Sequence, residues 1–99
     1  MNRNIVRYKV KPEQAEENAR LIRDTFAELH ARALPGVRYA ALRLPDGSFI
    51  HISTADGDTS PIPSLDAFKR FISGIKERVI EPPAQSDVTV VGNYRMLSE

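Results

Sequence analysis

The stretch from Leu34 to Ser53, LPGVRYAALRLPDGSFIHIS, contains two strand-like segments joined by a short turn. The segments are Val37–Leu44 and Ser48–Ser53, and Pro45-Asp46-Gly47 lies between them. Asp-Gly favours a tight hairpin because glycine adopts positive φ without a steric penalty. A long helical pattern precedes this hairpin, a shorter one follows it, and a single strand pattern lies towards each end of the chain. The predicted order of elements is therefore β-α-β-β-α-β.

The segments before the hairpin are a strand and a long amphipathic helix. Asn4–Val10 alternates with a period of two and is rich in β-branched and aromatic residues, which predicts a strand. Pro12 suits the first turn of the helix, and Pro35-Gly36 ends it. Spacings of three and four predict one buried stripe on this helix, formed by Ala15, Ala19, Ile22, Phe26, Leu29 and Ala33.

The segments after the hairpin are a loop, a second helix and a last strand. Thr54–Pro63 is polar and contains two prolines and a glycine, which predicts the loop, and Ser64 is the predicted N-cap of the helix. The apolar stripe of this helix is Leu65, Phe68, Phe71, Ile72, Ile75 and Val79. Pro82-Pro83 is expected to end the helix before a last strand at Asp87–Met96.

This order predicts a single domain over residues 1–99 with a ferredoxin-like α+β sandwich, in which two helices cover one face of a four-stranded antiparallel sheet. The predicted helix-side residues are Val6, Tyr8, Val10, Ala40, Leu42, Ile50, Ile52, Val88 and Val90. The predicted bare face carries Ile5, Arg7, Lys9, Tyr39, Ala41, Arg43, Phe49, His51, Thr89, Val91, Asn93 and Arg95. Because this face mixes apolar and polar groups, we expect a second copy of the chain to cover it and enclose a partly apolar cavity.

Composition excludes several classes of function. Of the 99 residues, 41% are hydrophobic and 27% are charged, as expected for an ordinary globular protein. The net charge of +1 gives no electrostatic reason to bind nucleic acid or an anionic membrane. No cysteine is present, so disulfides and thiolate chemistry are excluded. The sequence has neither a secretory signal nor a run of apolar residues long enough to span a bilayer, so we expect a cytoplasmic protein.

Nearly the whole chain, from about Ile5 to Leu97, resembles the dimeric α+β barrel proteins of the antibiotic-biosynthesis-monooxygenase type. The resemblance lies in VRYKVKPEQAEENARLIRDTF, with its strand ending in V-K-P and its Glu-rich helix, and in the L-P-G before the second strand. Two later stretches are similar to parts of small relatives. LDAFKRFISGIKERV is similar to their second helix, and VGNYRML is similar to their last strand. The resemblance implies a homodimer whose sheets pair face to face. It also implies a pocket in the barrel or under the helices, and in some members cofactor-free oxygenation of activated aromatic rings.

His51 is the candidate catalytic residue. It lies in the middle of a predicted strand, where a histidine could act as a base or bind a phenolic substrate. The alternative is a structural histidine at the dimer interface, paired with a backbone group or a carboxylate.

Six further residues are candidates for substrate binding. Arginine can bind an enolate or carboxylate oxygen, and amide or phenol groups can hydrogen-bond a quinone-like oxygen. The alternative for the arginines is a set of strand-edge and intersubunit salt bridges to acidic residues of the partner. The candidates are Arg7, Tyr39, Arg43, Phe49, Asn93 and Arg95.

No cofactor or metal is expected. His30 near the end of the first helix is interpreted as a cationic cap rather than a haem ligand. The haem-degrading relatives use a tryptophan, which this chain lacks. Asp56 and Asp58 are interpreted as part of a flexible loop, because two carboxylates without the EF-hand pattern do not define a cation site.

Three functions compete at this point. The first is a cofactor-independent monooxygenase-like enzyme acting on a small aromatic or quinol-type substrate, with His51 as the base. In this hypothesis Arg43 or Arg95 stabilises the enolate, and Tyr39 and Phe49 line the ring site. The second is a non-catalytic homodimer that binds a small ligand or has a structural role. The third, a regulatory interaction module, is disfavoured because both helices are polar outside one stripe.

Overall fold

The computed structural model describes residues 2–97, so residue 1 and residues 98–99 of the predicted domain lie outside it. The strands form one antiparallel sheet in the order β2-β3-β1-β4. The helices pack on one face of it, which confirms the ferredoxin-like α+β sandwich. The elements are β1 Asn2–Val10, α1 Ala15–Arg32, β2 Val37–Arg43, β3 Ser48–Ala55, α2 Asp66–Ser73, α3 Ile75–Arg78 and β4 Val79–Asp87, with 3₁₀ turns at Pro12–Gln14 and Ile62–Ser64.

The face of helix α1 that covers the sheet begins as the spacing predicts, but Ala33 at the end of the predicted stripe is exposed and lies beyond the helix. The helix follows a 3₁₀ turn that begins at Pro12, and it buries Ala15 and Ala19 against the sheet core. Its last turn closes at Ala33, whose backbone is left-handed with φ 49° and ψ 53° and whose N–H donates to the Leu29 carbonyl at 2.9 Å.

The central hairpin forms at the predicted turn. The Asp46 carboxylate accepts a hydrogen bond from the Ser48 backbone N–H at 2.9 Å, and Gly47 has φ 90°. The Gly47 carbonyl accepts a hydrogen bond from the Val10 N–H at 3.1 Å, which joins the turn to β1. Strand β3 continues to Ala55, two residues beyond the predicted end.

The predicted faces of β2 and β3 are wrong, whereas those of β1 are right. His51 of β3 is paired with Val6 of β1 on one side and with Ala41 of β2 on the other. In the same sheet, Tyr8 is paired with Phe49. Residues paired directly across antiparallel strands share a face, so these side chains all lie on the helix side. The bare face instead carries Ile5, Arg7, Lys9, Ala40, Leu42, Ile50 and Ile52.

The predicted last strand at Asp87–Met96 is also wrong. Strand β4 is Val79–Asp87 and contains both prolines. Pro82 and Pro83 lie opposite the single residue Tyr8, between the pairs Lys9–Glu81 and Arg7–Ala84. This two-to-one arrangement is a β-bulge on an edge strand, one of the few places in a sheet that tolerates residues without an N–H. Residues 88–97 have no regular secondary structure.

The second helical segment is shorter than its apolar stripe predicts, because it breaks at Gly74 and Val79 already belongs to β4. Leu65, not Ser64, is the N-cap of α2, and it provides no side-chain cap. The carboxylate of Glu28 on α1 fills that role by accepting hydrogen bonds from the N–H groups of Asp66 at 3.3 Å and Ala67 at 2.8 Å. The bond from Ala67 is the largest cause that lowers the pKa of Glu28, and it links the two helices.

Candidate functional site

A half-open cavity of about 440 Å³ lies between the sheet and the α2 region. Its volume falls within the range of roughly 300–1,000 Å³ that is typical of small-molecule sites. Apolar side chains predominate in the wall, with a few polar groups on the sheet. The lining residues on the sheet are Asn4, Val6, Tyr8, Tyr39, His51, Ser53, Pro83 and Gln85, and those opposite are Ser60, Ile62, Pro63, Phe68, Phe71, Ile72 and Ile75.

Strand register brings the polar lining groups into neighbouring rows. Asn4, Ser53 and Tyr39 are directly paired across β1, β3 and β2. The Ser53 hydroxyl donates to the Asn4 side-chain oxygen at 3.1 Å. His51 lies in the next row, where Val6 pairs with it on one side and with Gln85 of β4 on the other. The floor of the cavity is therefore built from all four strands.

His51 lies between two tyrosines and is only 6% exposed. Its Nε2 is 2.9 Å from the hydroxyl oxygen of Tyr8, and its Nδ1 is 2.5 Å from that of Tyr39. Both ring nitrogens are thus engaged by phenol groups, and a ligand in the cavity can hydrogen-bond directly to His51 only by displacing a tyrosine.

The hydrogen bonds continue from Tyr8 into the helices. Asn18 of α1, which is fully buried, donates from Nδ2 to the Tyr8 hydroxyl at 2.9 Å. Arg78 of α3 donates from Nε to the side-chain oxygen of Asn18 at 3.0 Å, and from Nη2 to the Phe71 carbonyl at 2.6 Å. The result is an unbroken chain of five side chains from Arg78 to Tyr39, which we call the Arg78–Tyr39 network.

Aromatic rings surround this network. Phe71 stacks on His51 with ring centroids 5.5 Å apart, and the Arg78 guanidinium lies 5.3 Å from the centre of the Phe71 ring. Phe26 of α1 stacks on Tyr39 at 4.7 Å. These contacts fix the planes of the histidine and of Tyr39 from the side of the helices.

Burial keeps the titratable groups of the network neutral near pH 7, apart from Arg78. Desolvation lowers the pKa of His51 from 6.5 to about 4. It raises the pKa of Tyr8 to about 12, against the opposing effects of the Asn18 hydrogen bond and the Arg78 charge. Desolvation also raises the pKa of Tyr39 above the usual value for tyrosine, and it lowers that of Arg78.

The structure brings together only two of the seven predicted site residues, His51 and Tyr39. Phe49 is buried in the core, where it stacks on Tyr8 at 5.6 Å. Arg43 is on the helix side of the sheet, outside the cavity lining, and pairs with Glu16 at 2.8 Å.

The other three predicted binding residues lie away from the cavity. Arg7 is exposed on the bare face of the sheet, because its register partners are Ile50 and Ala84. Asn93 and Arg95 are in the irregular segment after β4 rather than in a strand. Asn93 stabilises a turn there by accepting hydrogen bonds from the N–H groups of Met96 and Leu97.

Sequence reasoning missed three members of the Arg78–Tyr39 network, namely Tyr8, which it expected only in the core, Asn18 and Arg78. Asn18 follows Ala15 by three positions and precedes Ile22 by four, so it lies on the buried face of the predicted helix. A polar residue on an apolar helical face requires a buried hydrogen-bond partner, and this signal could have identified it. Arg78 gave no comparable signal, because it was placed near the end of a longer helix.

Residues 2–97 contain no group of three or more His, Cys, Asp or Glu side chains that could hold a metal ion. His30 lies in the last turn of α1 and is exposed. In the same part of the chain, none of the helices is long and apolar enough to cross a bilayer.

Several solved structures share this fold. A provisionally named antibiotic biosynthesis monooxygenase from Nitrosomonas europaea is 15% identical, with a TM-score of 0.75 over 93% of this chain and 100% of that one. Another from Caulobacter crescentus CB15 is 21% identical, with a TM-score of 0.73 over 91% and 89%. A protein of unknown function from Nitrosomonas europaea is 17% identical, with a TM-score of 0.70 over 97% and 94%.

The sequence matches no family profile and no curated protein. The structural likenesses confirm the predicted resemblance to monooxygenase-type proteins at the level of the fold. A shared fold hosts many activities, so the function of this chain has to be argued from its site.

Proposed function

We propose that this protein binds a small aromatic, quinol-type molecule in the cavity under α2 and acts on it as a cofactor-independent monooxygenase-like enzyme. The observation that carries the proposal is the aromatic cavity with the Tyr8–His51–Tyr39 hydrogen bonds on its floor. Flat apolar walls and one accessible phenol group suit a planar ring that carries an oxygen atom.

In the proposed reaction, the substrate is an aromatic ketone with an acidic CH₂ group, and anthrone is the simplest example. Its enolate forms when a C–H proton leaves to solvent through the open side of the cavity. The electron-rich enolate carbon then reduces O₂ and forms a C–O bond. Loss of the second C–H proton and cleavage of the O–O bond give a ketone and one water. The balance is CH₂ + O₂ → C=O + H₂O, and no external reductant is needed.

Tyr39 is assigned to the substrate oxygen and His51 to the support of Tyr39. A hydrogen bond to a developing enolate oxygen stabilises it most where water is excluded. Direct proton abstraction by His51, the hypothesis drawn from the sequence, is less favoured because both ring nitrogens already contact tyrosine hydroxyls. Arg43, Arg95 and Phe49 receive no role in this proposal, because they do not line the cavity.

The test is oxygen uptake by the purified protein with anthrone, compared with the protein-free rate. Tyr39→Phe removes only the hydroxyl and should lower the catalysed rate by roughly 10²-fold, as expected for loss of an oxyanion donor. His51→Ala should lower it sharply as well, whereas Arg20→Ala on the exposed side of α1 should not. Uptake no faster than the protein-free rate would exclude the oxygenase.

A non-catalytic ligand-binding protein is the second candidate. It is favoured by the neutral state of the network, since the pKa of His51 near 4 makes the histidine a weak base at pH 7. This candidate predicts that aromatic ketones bind without any oxygen uptake, and that Tyr39→Phe weakens their binding.

We also propose that the protein is a homodimer formed through the bare face of its sheet. Ile5, Ile50 and Ile52 lie at the centre of that face, and Leu42 is 49% exposed there. Burial of such surface is favourable by about 25 cal/mol per Å². Exposed apolar side chains at Val91, Tyr94 and Met96 after β4 offer further surface to a second copy.

A further inference from the structure

The Arg78–Tyr39 network has a direction that follows from the chemistry of its first member. Arginine carries only donors, so the Asn18 atom that lies 3.0 Å from the Arg78 Nε must be the side-chain oxygen. The NH₂ group of Asn18 therefore points at the Tyr8 hydroxyl, 2.9 Å away. This buried arginine thus excludes the flipped amide.

The orientation of Asn18 decides where the Tyr8 proton goes. Because Tyr8 accepts a hydrogen bond from Asn18, its own proton needs another acceptor, and Tyr8 is only 2% exposed. His51 Nε2, at 2.9 Å, is that acceptor. The reverse arrangement would leave a buried hydroxyl proton without a partner, which is costly.

The tautomer of His51 follows in the same way. A neutral imidazole whose Nε2 accepts a hydrogen bond carries its proton on Nδ1. Nδ1 therefore donates to the Tyr39 oxygen at 2.5 Å. The proton of Tyr39 has no acceptor among the side chains and backbone groups of residues 3–97, and Tyr39 lines the cavity.

We infer that Arg78 and Asn18 act as positioning residues that set the direction of the hydrogen bonds in the network. As a result, the Tyr39 hydroxyl points its proton into the cavity, and a ligand binds there through an oxygen that accepts this hydrogen bond. A ketone carbonyl or a phenolate on an aromatic ring has this chemistry, whereas a ring that presents only an N–H group does not. The ligand part of this inference rests on the proposed function, and the direction of the network does not.

The direction is tested by ¹⁵N NMR of the His51 ring, which distinguishes the two neutral tautomers. The wild-type protein should carry the proton on Nδ1. In Asn18→Asp the carboxylate accepts hydrogen bonds from both Arg78 and the Tyr8 hydroxyl. The Tyr8 oxygen must then accept from His51, so the ring proton should move from Nδ1 to Nε2. Gln14→Glu makes the same amide-to-carboxylate change at the N-cap of α1, outside the network, and should leave the tautomer unchanged.

Two outcomes would overturn the direction of the network. One is a wild-type histidine protonated on Nε2 or present as a mixture, and this spectrum alone decides the matter if Asn18→Asp does not fold. The other is a folded Asn18→Asp protein that keeps its proton on Nδ1.

The ligand part is tested with 1-indanone and indole, two bicyclic probes of similar shape that present a carbonyl acceptor and an N–H donor. The wild-type protein should bind 1-indanone roughly two- to tenfold more tightly, the range expected for one net hydrogen bond. Asn18→Asp should invert this ratio. Equal affinities, or a preference for indole in the wild-type protein, would overturn the ligand part. If neither probe binds while the tautomer reverses, the direction stands and the proposed use of the cavity fails.

Discussion

At the scale of single residues, the distinguishing feature of this protein is a histidine held neutral by two phenols. The hydroxyl groups of Tyr8 and Tyr39 form hydrogen bonds with the two ring nitrogens of His51, and Phe71 stacks on one face of the ring. Protonation would place a charge in an apolar site and disrupt the hydrogen bond in which a ring nitrogen accepts. The folded state therefore binds a proton at His51 less readily than the unfolded chain does.

We predict that the free energy of unfolding falls as the pH is lowered from 6.5 towards 4. The pKa of His51 is about 4 in the folded state and 6.5 when unperturbed, so the unfolded state binds more protons in this window. The contribution of His51 is fully present above pH 6.5 and is lost as the pH falls through 4. Integrated over the shift, it amounts to about 3 kcal/mol. Urea unfolding at pH 7, 5.5 and 4.5 measures it.

His51→Gln is the matched variant for this prediction, because glutamine keeps polar atoms in the site but does not titrate in this range. Its free energy of unfolding should fall less between pH 7 and 4.5 than that of the wild-type protein, with most of the difference arising from His51. Equal pH dependence in the two proteins would mean that the neutral state of His51 does not stabilise the fold.

Much of the site could not be predicted from the sequence, because the members of the Arg78–Tyr39 network come from five different elements. His51 and Tyr39 are visible as polar or aromatic residues in strands, and both proved to line the cavity. Arg43 and Asn93 have equally suitable chemistry, and only the register and the position of β4 place them elsewhere. The residue types indicated which side chains could form a site, but the strand order and register determined which of them line the cavity.

At the scale of elements, the end of helix α1 is a point of backbone strain. Ala33 has φ 49° and ψ 53°, a left-handed conformation that costs roughly 1–2 kcal/mol for a residue with a Cβ. Glycine adopts it without this cost, although glycine also loses more conformational freedom on folding.

We predict that Ala33→Gly stabilises the protein by about 0.5–1 kcal/mol, because relief of the left-handed strain exceeds the added entropy loss. Ala27→Gly, in the exposed interior of the same helix, should destabilise it by about 1 kcal/mol. Urea denaturation of both variants checks the opposite signs. Destabilisation by both substitutions would show that Ala33 is not strained in solution.

The two wrong predictions about strands have different physical causes. In β3, Phe49 and His51 alternate with Ile50 and Ile52, so both faces are apolar and alternation alone cannot choose the core side. The choice is made by partners distant in the sequence, among them Tyr8 stacking on Phe49. In β4, Pro82-Pro83 resembles a chain break, whereas the β-branched residues near Val90 resemble a strand. Because β4 is an edge strand with a bulge, it accommodates both prolines, and the strand ends at Asp87, before Val90.

At the scale of the whole molecule, the bare face of the sheet is the surface on which the proposed homodimer depends. The sequence-based expectation placed Tyr39 and Phe49 on it, and the structure replaces them with Ile50, Ile52 and Leu42. The face therefore remains apolar at its centre, although its residues differ from those expected.

We predict that Leu42→Arg converts the proposed dimer to a monomer, because it places a charge beside Ile50 on the surface to be buried. Light scattering at micromolar concentration measures the mass of both proteins. Ala31→Arg adds the same charge on an exposed position of α1 and should leave the dimer intact. A wild-type protein that is monomeric under these conditions would refute the dimer.

The proline bulge in β4 also governs which assemblies this sheet can form. Pro82 and Pro83 carry no N–H, and their bulge interrupts the regular row of backbone groups along this edge strand. A strand from another chain therefore meets a gap when it tries to add to β4. Growth of the sheet sideways at the β4 edge is therefore hindered, whereas the proposed association through the bare faces of two copies closes at a dimer.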